Sequence, residues 1–177
     1  VAAGVGGWQW TWVVTVALKF AWAIPANTPI YNALYGALPE GVAMELVVVD
    51  DGSGDDTSQV LSTLHDSRVR VLSLKKNVGR SAARNAGAAA AKGEIVVFMD
   101  CDCLPHDTHF VAGHIDALQS GAVAAVGHVS GPDNTFWSRY QAVASRRRER
   151  QHQSGHLFSG SSTNLAVRRE AFEHVGG

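Results

Sequence analysis

The sequence predicts an α/β domain with a mostly parallel central sheet and helices on both of its faces. Apolar runs of strand length alternate along the 177 residues with stretches of helical pattern. These runs are apolar at consecutive positions, as in strands that are covered on both sides. The formal net charge of -1 lacks the basic excess of nucleic-acid-binding proteins, so we expect no nucleic-acid partner.

Residues 1–18 form an apolar N-terminal extension that carries no charge. Such a run raises the alternatives of a membrane span or a signal peptide, since a span needs roughly 20 apolar residues. However, Trp8, Trp10 and Trp12 alternate with smaller or more polar residues. A period of two favours a half-buried strand, which we expect here, followed by one domain over residues 19–177.

From residue 19 onward, each predicted element follows from its local pattern. An apolar stretch ends at Pro25, and Gly93 ends an alanine-rich run with very high helix propensity. Apolar periodicity and turn residues predict helices over residues 28–38, 55–64, 79–91, 107–118 and 136–151 and from 169 onward. The predicted strands are residues 45–49, 69–74, 94–99, 122–129 and 164–167.

Acidic residues follow two of the predicted strands. Asp50 and Asp51 come after residues 45–49, and Asp100 and Asp102 come after residues 94–99. Ligands of parallel sheets bind beyond the carboxyl ends of the strands. Two acidic clusters at one edge repel each other unless something positive lies between them, which favours a divalent cation or a ligand that brings one. The alternative is ordinary turn chemistry with solvated carboxylates.

Arginines are concentrated in two places. Arg80 and Arg84 lie four residues apart at the start of the alanine-rich helix, whose N-terminal amides also favour anions, so residues 79–81 are a candidate phosphate contact. The basic run over residues 146–150 is either a patch for lipid phosphate or nucleic acid, or a solvated helix face. The solvated face is the interpretation that we favour, because short basic runs often match by chance.

Cys101 and Cys103 alternate with the second acidic pair. They are too close together for a loop-closing disulfide, which favours a reducing, cytoplasmic location. If the strand continues through them, the two thiols share one face and the two carboxylates share the other. Two thiols fall short of a structural zinc site, so we expect the cysteines to pack into the fold. His106, His109 and His114 follow the acidic pair. His106 is a weaker candidate metal ligand, and the alternative is a surface position, which we expect for all three histidines.

Four segments carry a family resemblance. They are VVVDDGS (residues 47–53), NVGRSAARNAG (77–87), GEIVVFMDCD (93–102) and SGSSTNLAVRREAF (159–172). In this order they resemble the family 2 glycosyltransferases of the GT-A fold, and four ordered motifs are far more specific than one. The resemblance implies an enzyme of hexosyltransferase type. It would transfer a sugar, with inversion, from a UDP- or GDP-sugar to a glycan or lipid acceptor. It also implies that the protein acts at the cytoplasmic face of a membrane and takes part in cell-envelope glycan synthesis.

The resemblance also implies roles for particular residues. Those assigned by position to the nucleotide sugar are Pro25, Ala26, Asn27, Asp51, Arg84 and Asp100, with Asp51 bonding the base or ribose. Asp102 would coordinate a Mn or Mg ion, since a hard, oxygen-ligated cation stabilises a diphosphate leaving group. The sugar or acceptor pocket would be shaped by Gly160, Ser161 and Asn164.

The sequence departs from the family pattern in three respects. Ala26 stands where an aromatic residue is usual, and Thr28 stands where an acid is usual, so the nucleoside wall is expected to differ. The family's catalytic base is an acidic residue downstream of the acceptor-side segment, and we expect it beyond Gly177. The domain is therefore expected to be incomplete at its C-terminus, with membrane association through parts that lie outside this chain.

Two other function classes stay open on sequence alone. Asp100 and Asp102 also resemble the first motif of haloacid-dehalogenase-type phosphatases, as nucleophile and acid/base. Against this, Leu104 stands where Thr or Val is usual, and the other acidic pair lies upstream rather than downstream. The second alternative is a non-catalytic nucleotide-sugar-binding domain. A dinucleotide-binding domain is disfavoured because no G-x-G-x-x-G follows the first strand.

Overall fold

The computed structural model describes residues 9–16, 42–101, 103, 105, 107, 109–131, 135–154 and 161–177. Within these residues the strands are β1 (Gln9–Val16), β2 (Ala43–Asp50), β3 (Val69–Ser73), β4 (Ile95–Asp100), β5 (Ala124–Val126) and β6 (Asn164–Arg168). The helices are α1 (Thr57–Ser62), α2 (Arg80–Ala90), α3 (Phe110–Gln119), α4 (Phe136–Gln153) and α5 (Arg169–His174). The helix expected over residues 28–38 lies outside the described residues.

The described strands form one mostly parallel sheet in the order β3-β2-β1-β4-β6-β5. β1, β2, β3 and β4 run parallel, whereas β6 is antiparallel to β4 and to β5. β1 pairs on one side with β2 and on the other with β4. Part of the segment that the sequence set apart as an N-terminal extension is thus a central strand of the sheet.

Both faces of the sheet are covered by helices, as the sequence predicted. Alternate residues of β2 and β4 divide between two buried clusters because successive side chains of a strand point to opposite faces. One cluster joins Leu46, Val48, Val97 and Met99 to Leu61 of α1 and to Val111, Ile115 and Leu118 of α3. The other joins Val47, Val49, Val96 and Phe98 to Ala83 and Ala88 of α2, with Phe172 of α5 packed against it.

Some element boundaries differ from the sequence prediction. α1 begins at Thr57 because the Asp55 carboxylate accepts a hydrogen bond from the Thr57 amide (3.0 Å), so Asp55 precedes the first turn rather than belonging to it. β5 is confined to residues 124–126 at the sheet edge. β4 ends at Asp100, where the Cys103 amide donates to the Asp100 carbonyl (3.1 Å) and closes a turn. None of the described helices has the length and apolar character needed to cross a bilayer.

Candidate active site at the strand ends

One edge of the sheet collects the residues that the sequence singled out. Asp50 aligns with Val16, and Asp100 aligns with Thr15, so β1, β2 and β4 end at the same edge. β6 runs in the opposite direction and begins there, with Asn164 paired to Met99. The first acidic pair, Asp100 and the segment before β6 therefore meet at one edge of the sheet.

Asp50 is buried and holds the turn that follows β2. Its Oδ1 accepts hydrogen bonds from the Ser53 amide (3.0 Å) and hydroxyl (2.6 Å), and its Oδ2 accepts one from the Ser58 hydroxyl in α1 (2.7 Å). Burial raises the pKa of Asp50, but the bonds from Ser53 and Ser58 outweigh burial and hold the pKa below the ordinary 3.8. Asp50 is therefore ionised, and its carboxylate links α1 to the end of β2 through a hydrogen bond.

Asp51 fastens the loop that leads into α2. The carboxylate is only 2% exposed, and it accepts the amides of Val78 (2.8 Å) and Gly79 (2.9 Å). Gly52 allows this approach, because a Cβ on Gly52 would lie 2.4 Å from the carbonyl carbon of Lys76. Each Asp51 oxygen retains a second lone pair for a ligand. The role of Asp51 at the base or ribose stays a prediction.

Arg84, Asp100 and Thr163 join three elements at the edge. The Arg84 guanidinium in α2 pairs with Oδ1 of Asp100, and the Thr163 hydroxyl donates to Oδ2 (3.0 Å). The Ser161 hydroxyl donates in turn to Thr163 Oγ1 (2.8 Å). The Arg84 side chain is 11% exposed, and its Nε is buried without a hydrogen-bond partner in the part of the chain that the structure describes. The cluster therefore keeps one buried donor unused.

Positive charge at this edge comes from Arg84. The sequence argument placed a cation between the acidic clusters to relieve their repulsion, but Asp50 and Asp51 are met by hydroxyls and amides, and Asp100 is met by a guanidinium. No three His, Cys, Asp or Glu side chains converge as a metal cluster within the described residues. The predicted metal ligand Asp102 lies outside them, as do His106, Pro25, Ala26, Asn27 and Gly160.

Both cysteines pack into the fold, as expected. Cys101 and Cys103 are half-buried and pack against the core cluster that includes Met99 and Val111. The condition under which the two thiols would share one strand face, a strand continuing through residue 103, is not met, because β4 ends at Asp100 and the chain turns there. The turn nevertheless leaves both thiols on the side of the sheet covered by α1 and α3.

Asn164 lies inside the fold and binds a buried histidine. Its Nδ2 donates to the His128 carbonyl (3.2 Å), which fixes the orientation of the amide. Its Oδ1 is then the acceptor that faces Nε2 of His114 in α3 at 2.7 Å, so this histidine nitrogen carries the proton. Asn164 and His114 are 8% and 6% exposed. The role of Asn164 in a sugar or acceptor pocket stays a prediction, and both partners of its amide lie within the protein.

Sequence reasoning expected His114 at the surface, which is wrong because this residue is only 6% exposed, and it did not foresee the contact of Thr163 with Asp100. His114 lies on the apolar face of α3, between Val111 and Leu118, where a polar residue signals a buried partner. Thr163 directly precedes β6, and its contact with Asp100 follows once β6 is known to run antiparallel beside β4. The burial of His114 could have been predicted from helical periodicity, whereas the contact of Thr163 with Asp100 required the strand order.

The free energy of unfolding is expected to fall as the pH drops below about 6.5. Burial lowers the pKa of His114 below the ordinary 6.5, and the hydrogen bond to Asn164 offsets only part of that shift. Between the folded and unfolded pKa values the unfolded chain binds a proton that the folded chain does not, so stability rises with pH. Urea unfolding between about pH 5 and about pH 8 measures this dependence. His114→Gln should flatten it, whereas the exposed His65→Gln should leave it unchanged; equal curves for both variants would contradict the assignment.

Comparisons with known proteins agree with this geometry. A mannosyltransferase from Pyrobaculum calidifontis, solved with GDP-Man and Mn2+, superposes with a TM-score of 0.68 at 24% identity over 98% of this chain and 48% of its own. The Mycobacterium tuberculosis glucosyl-3-phosphoglycerate synthase, solved with UDP, gives 0.62 at 24% identity over 93% of this chain and 58% of its own. The structure is therefore a GT-A fold.

Sequence comparisons identify the family. The Glycosyl transferase family 2 profile matches residues 29–176. The Haloferax volcanii glycosyltransferase AglE is 30% identical over 138 residues, covering 75% of this chain and 44% of its own length. The Rhizobium meliloti succinoglycan biosynthesis protein ExoO is 45% identical over 74 residues, covering 41% and 21%. The chain belongs to glycosyltransferase family 2 and spans less than half the length of these two relatives.

Proposed function

We propose that this chain forms the donor-binding part of an inverting glycosyltransferase that uses a nucleotide-diphospho-sugar. The observation that carries the proposal is the convergence of Asp51, Arg84 and Asp100 at the strand ends of a family 2 chain. Relatives solved with GDP-Man, with UDP-glucose and with UDP-GlcNAc support a nucleotide-sugar donor. A relative named for succinoglycan biosynthesis favours a glycan acceptor, with a lipid acceptor as the alternative.

Arg84 and Asp100 are the central residues of the proposed donor site. A buried guanidinium N–H without an acceptor costs free energy, roughly 1–3 kcal/mol, which a nucleotide oxygen at this position would recover. The Nε of Arg84 is such a donor, and its Nη2 already orients Asp100. In this proposal Asp100 faces the ribose and diphosphate, Arg84 lies beside the nucleotide, and Asp51 contacts the base or ribose while it holds the loop before α2.

A divalent ion fits the chemistry of the edge. Asp100 supplies carboxylate oxygens, and the neighbouring thiols pack into the core, so the available ligands suit Mn or Mg rather than a thiophilic metal. Asp102 is the residue that we propose as the ligand. When bound, the ion supplies charge stabilisation for the diphosphate leaving group.

The proposed reaction forms a bond between the acceptor oxygen and the anomeric carbon and breaks the bond from that carbon to the diphosphate oxygen. The acceptor hydroxyl loses its proton to a base, and the nucleoside diphosphate leaves with the electron pair. Among the described residues none is assigned as the base, which we expect downstream of residue 177. Ser161 and Thr163 orient Asp100. The two cysteines lie too close together for a loop-closing disulfide, which fits a reducing, cytoplasmic site of action.

Calorimetric titration with UDP- and GDP-sugars, with and without Mn, tests the proposal. Wild type should bind a nucleotide sugar, and Arg84→Lys should weaken binding about tenfold or more, because it keeps the charge but loses the Nε donor and the fork to Asp100. Asp66→Asn is the matched control, since Asp66 pairs with Arg68 outside the site and should bind like wild type.

Three results would separate the competing functions. If wild type binds no nucleotide sugar, the proposal fails. Binding without sugar transfer by the longer protein would favour the non-catalytic alternative. The phosphatase alternative is not favoured, because the family match covers residues 29–176; hydrolysis of an aryl phosphate that Asp100→Asn abolishes would revive it.

A further inference from the structure

The helix α4 turns its aromatic side chains toward solvent. Phe136, Trp137, Tyr140 and Val143 are 72%, 68%, 58% and 59% exposed. The half-buried positions of the helix are instead small, polar or basic: Ser138, Gln141, Ala142, Ala144, Ser145 and Arg148. A surface helix normally directs its apolar side chains toward the core. The opposite orientation of α4 indicates that its outer face has another apolar contact.

Basic side chains continue the same outer face toward the C-terminal end of α4. Phe136, Tyr140, Val143 and Arg147 succeed each other at spacings of three and four residues and so lie along one stripe. Arg146, Arg147 and Arg150 are exposed beside Val143 and line an open groove of about 550 Å³ with it. Glu149 is the one acidic residue of the helix; it lies opposite Arg147 but three residues from Arg146, so it borders the basic end of this face.

This face has the chemistry of a helix that lies on an anionic bilayer. Trp, Tyr and Phe partition to the boundary between headgroups and acyl chains, while arginines beside them contact lipid phosphates. Arg146, Arg147 and Arg150 outnumber the one neighbouring carboxylate, Glu149, so the face keeps a net positive charge, which matches an anionic surface better than a second copy of the same basic face. The helix combines this surface with too little hydropathy to span a membrane.

We propose that α4 docks flat on the surface of anionic lipid membranes through Phe136, Trp137, Tyr140 and Val143, with Arg146, Arg147 and Arg150 binding lipid phosphates. The docking surface does not include the Asp51, Arg84 and Asp100 cluster, and it does not require nucleotide to be bound. The proposal stands on exposure, spacing and charge within a single helix. It gives the chain its own membrane contact, in addition to any made by other parts of a longer protein.

Flotation with lipid vesicles tests the docking surface. Wild type should bind vesicles that contain phosphatidylglycerol and should bind pure phosphatidylcholine vesicles at least about tenfold more weakly. A triple variant, Arg146→Gln with Arg147→Gln and Arg150→Gln, should bind anionic vesicles about 100-fold more weakly. The double variant Phe136→Ser with Trp137→Ser should weaken binding to both kinds of vesicle, because it removes apolar anchors and leaves the charge.

A matched control distinguishes vesicle binding through this face from binding that depends only on the net charge of the protein. Arg68→Gln with Lys75→Gln and Lys92→Gln removes the same charge from exposed positions outside α4 and should bind anionic vesicles like wild type. Unchanged far-ultraviolet circular dichroism establishes that each variant is folded. Equal loss in both triple variants, wild-type binding by the α4 variants, or no vesicle binding by wild type would each overturn the proposal. A dimer that Phe136→Ser dissociates, without vesicle binding, would assign the face to a second copy and would also overturn it.

Discussion

Gly52→Ala is expected to lower the free energy of unfolding by about 2–5 kcal/mol, because it combines an unfavourable backbone angle with a collision. Gly52 has a φ of 70°, in the left-handed region that side chains disfavour. Its added Cβ would lie 2.4 Å from the Lys76 carbonyl carbon and 2.6 Å from the Asn77 nitrogen. These are backbone atoms, so the loop before α2 must move away from the end of β2.

The same displacement is expected to weaken nucleotide-sugar binding. The loop that Gly52 contacts supplies the Val78 and Gly79 amides to Asp51 and then begins the helix that carries Arg84. Urea unfolding and calorimetric titration measure the two effects. Gly54→Ala is the matched control, two residues away and with nothing within 4 Å of an added Cβ. It should change the unfolding free energy by less than about 0.5 kcal/mol; a similar loss in both variants would contradict the role of the contact.

Gly127→Ala is expected to lower the free energy of unfolding by about 2–4 kcal/mol, because it disrupts the buried hydrogen bond between Asn164 and His114. Its Cβ would lie 2.1 Å from Nδ2 and 2.6 Å from Cγ of Asn164. The Asn164 side chain cannot stay in place, so its bonds to His114 and to the His128 carbonyl are lost. Most of this cost comes from the side chains of Asn164 and His114, which would lose their hydrogen-bond partners in the interior and cannot reach water.

Thermal or urea unfolding measures this loss, and Gly113→Ala is its control. Gly113 lies in α3 beside His114, with open space around the position of an added Cβ. Alanine has the higher helix propensity, so this variant should be stabilised by about 0.5–1 kcal/mol. If Gly127→Ala unfolds like wild type, the Asn164 side chain has another position that keeps its hydrogen bonds, and the tight packing assigned here is wrong.

The parts of the fold that sequence predicted best are those with a strong local pattern. The apolar strands β2 and β4 and the alanine-rich α2 lie within one or two residues of their expected limits at every end. Short and edge elements were less predictable, as in β5, because a three-residue strand has no periodicity to read. Residues 1–18 were expected to be an extension outside the domain because they precede the regular pattern. However, β1 lies within them and pairs with both β2 and β4.

For the site, sequence identified Asp51, Arg84, Asp100 and Ser161 as residues of interest but not their partners. The amides that Asp51 accepts belong to Val78 and Gly79, and backbone donors have no signature in a sequence. The pair of Arg84 with Asp100 spans 16 residues, and the contact of Thr163 with Asp100 spans 63. Contacts at such separations depend on which strands become neighbours.

By itself, the sequence determined the α/β class, the mostly parallel sheet and the acidic edge, because hydrophobic periodicity and strand-end chemistry are local properties. Only the tertiary structure decided how the charges at that edge are balanced. Arg84 meets Asp100 since α2 lies over β1 and β2 and shares a buried cluster with β4, and Asn164 binds His114 since β6 reverses direction beside β4. It also decided which face of α4 is left in water, because a helical pattern gives the spacing of side chains but not the side that the rest of the protein covers.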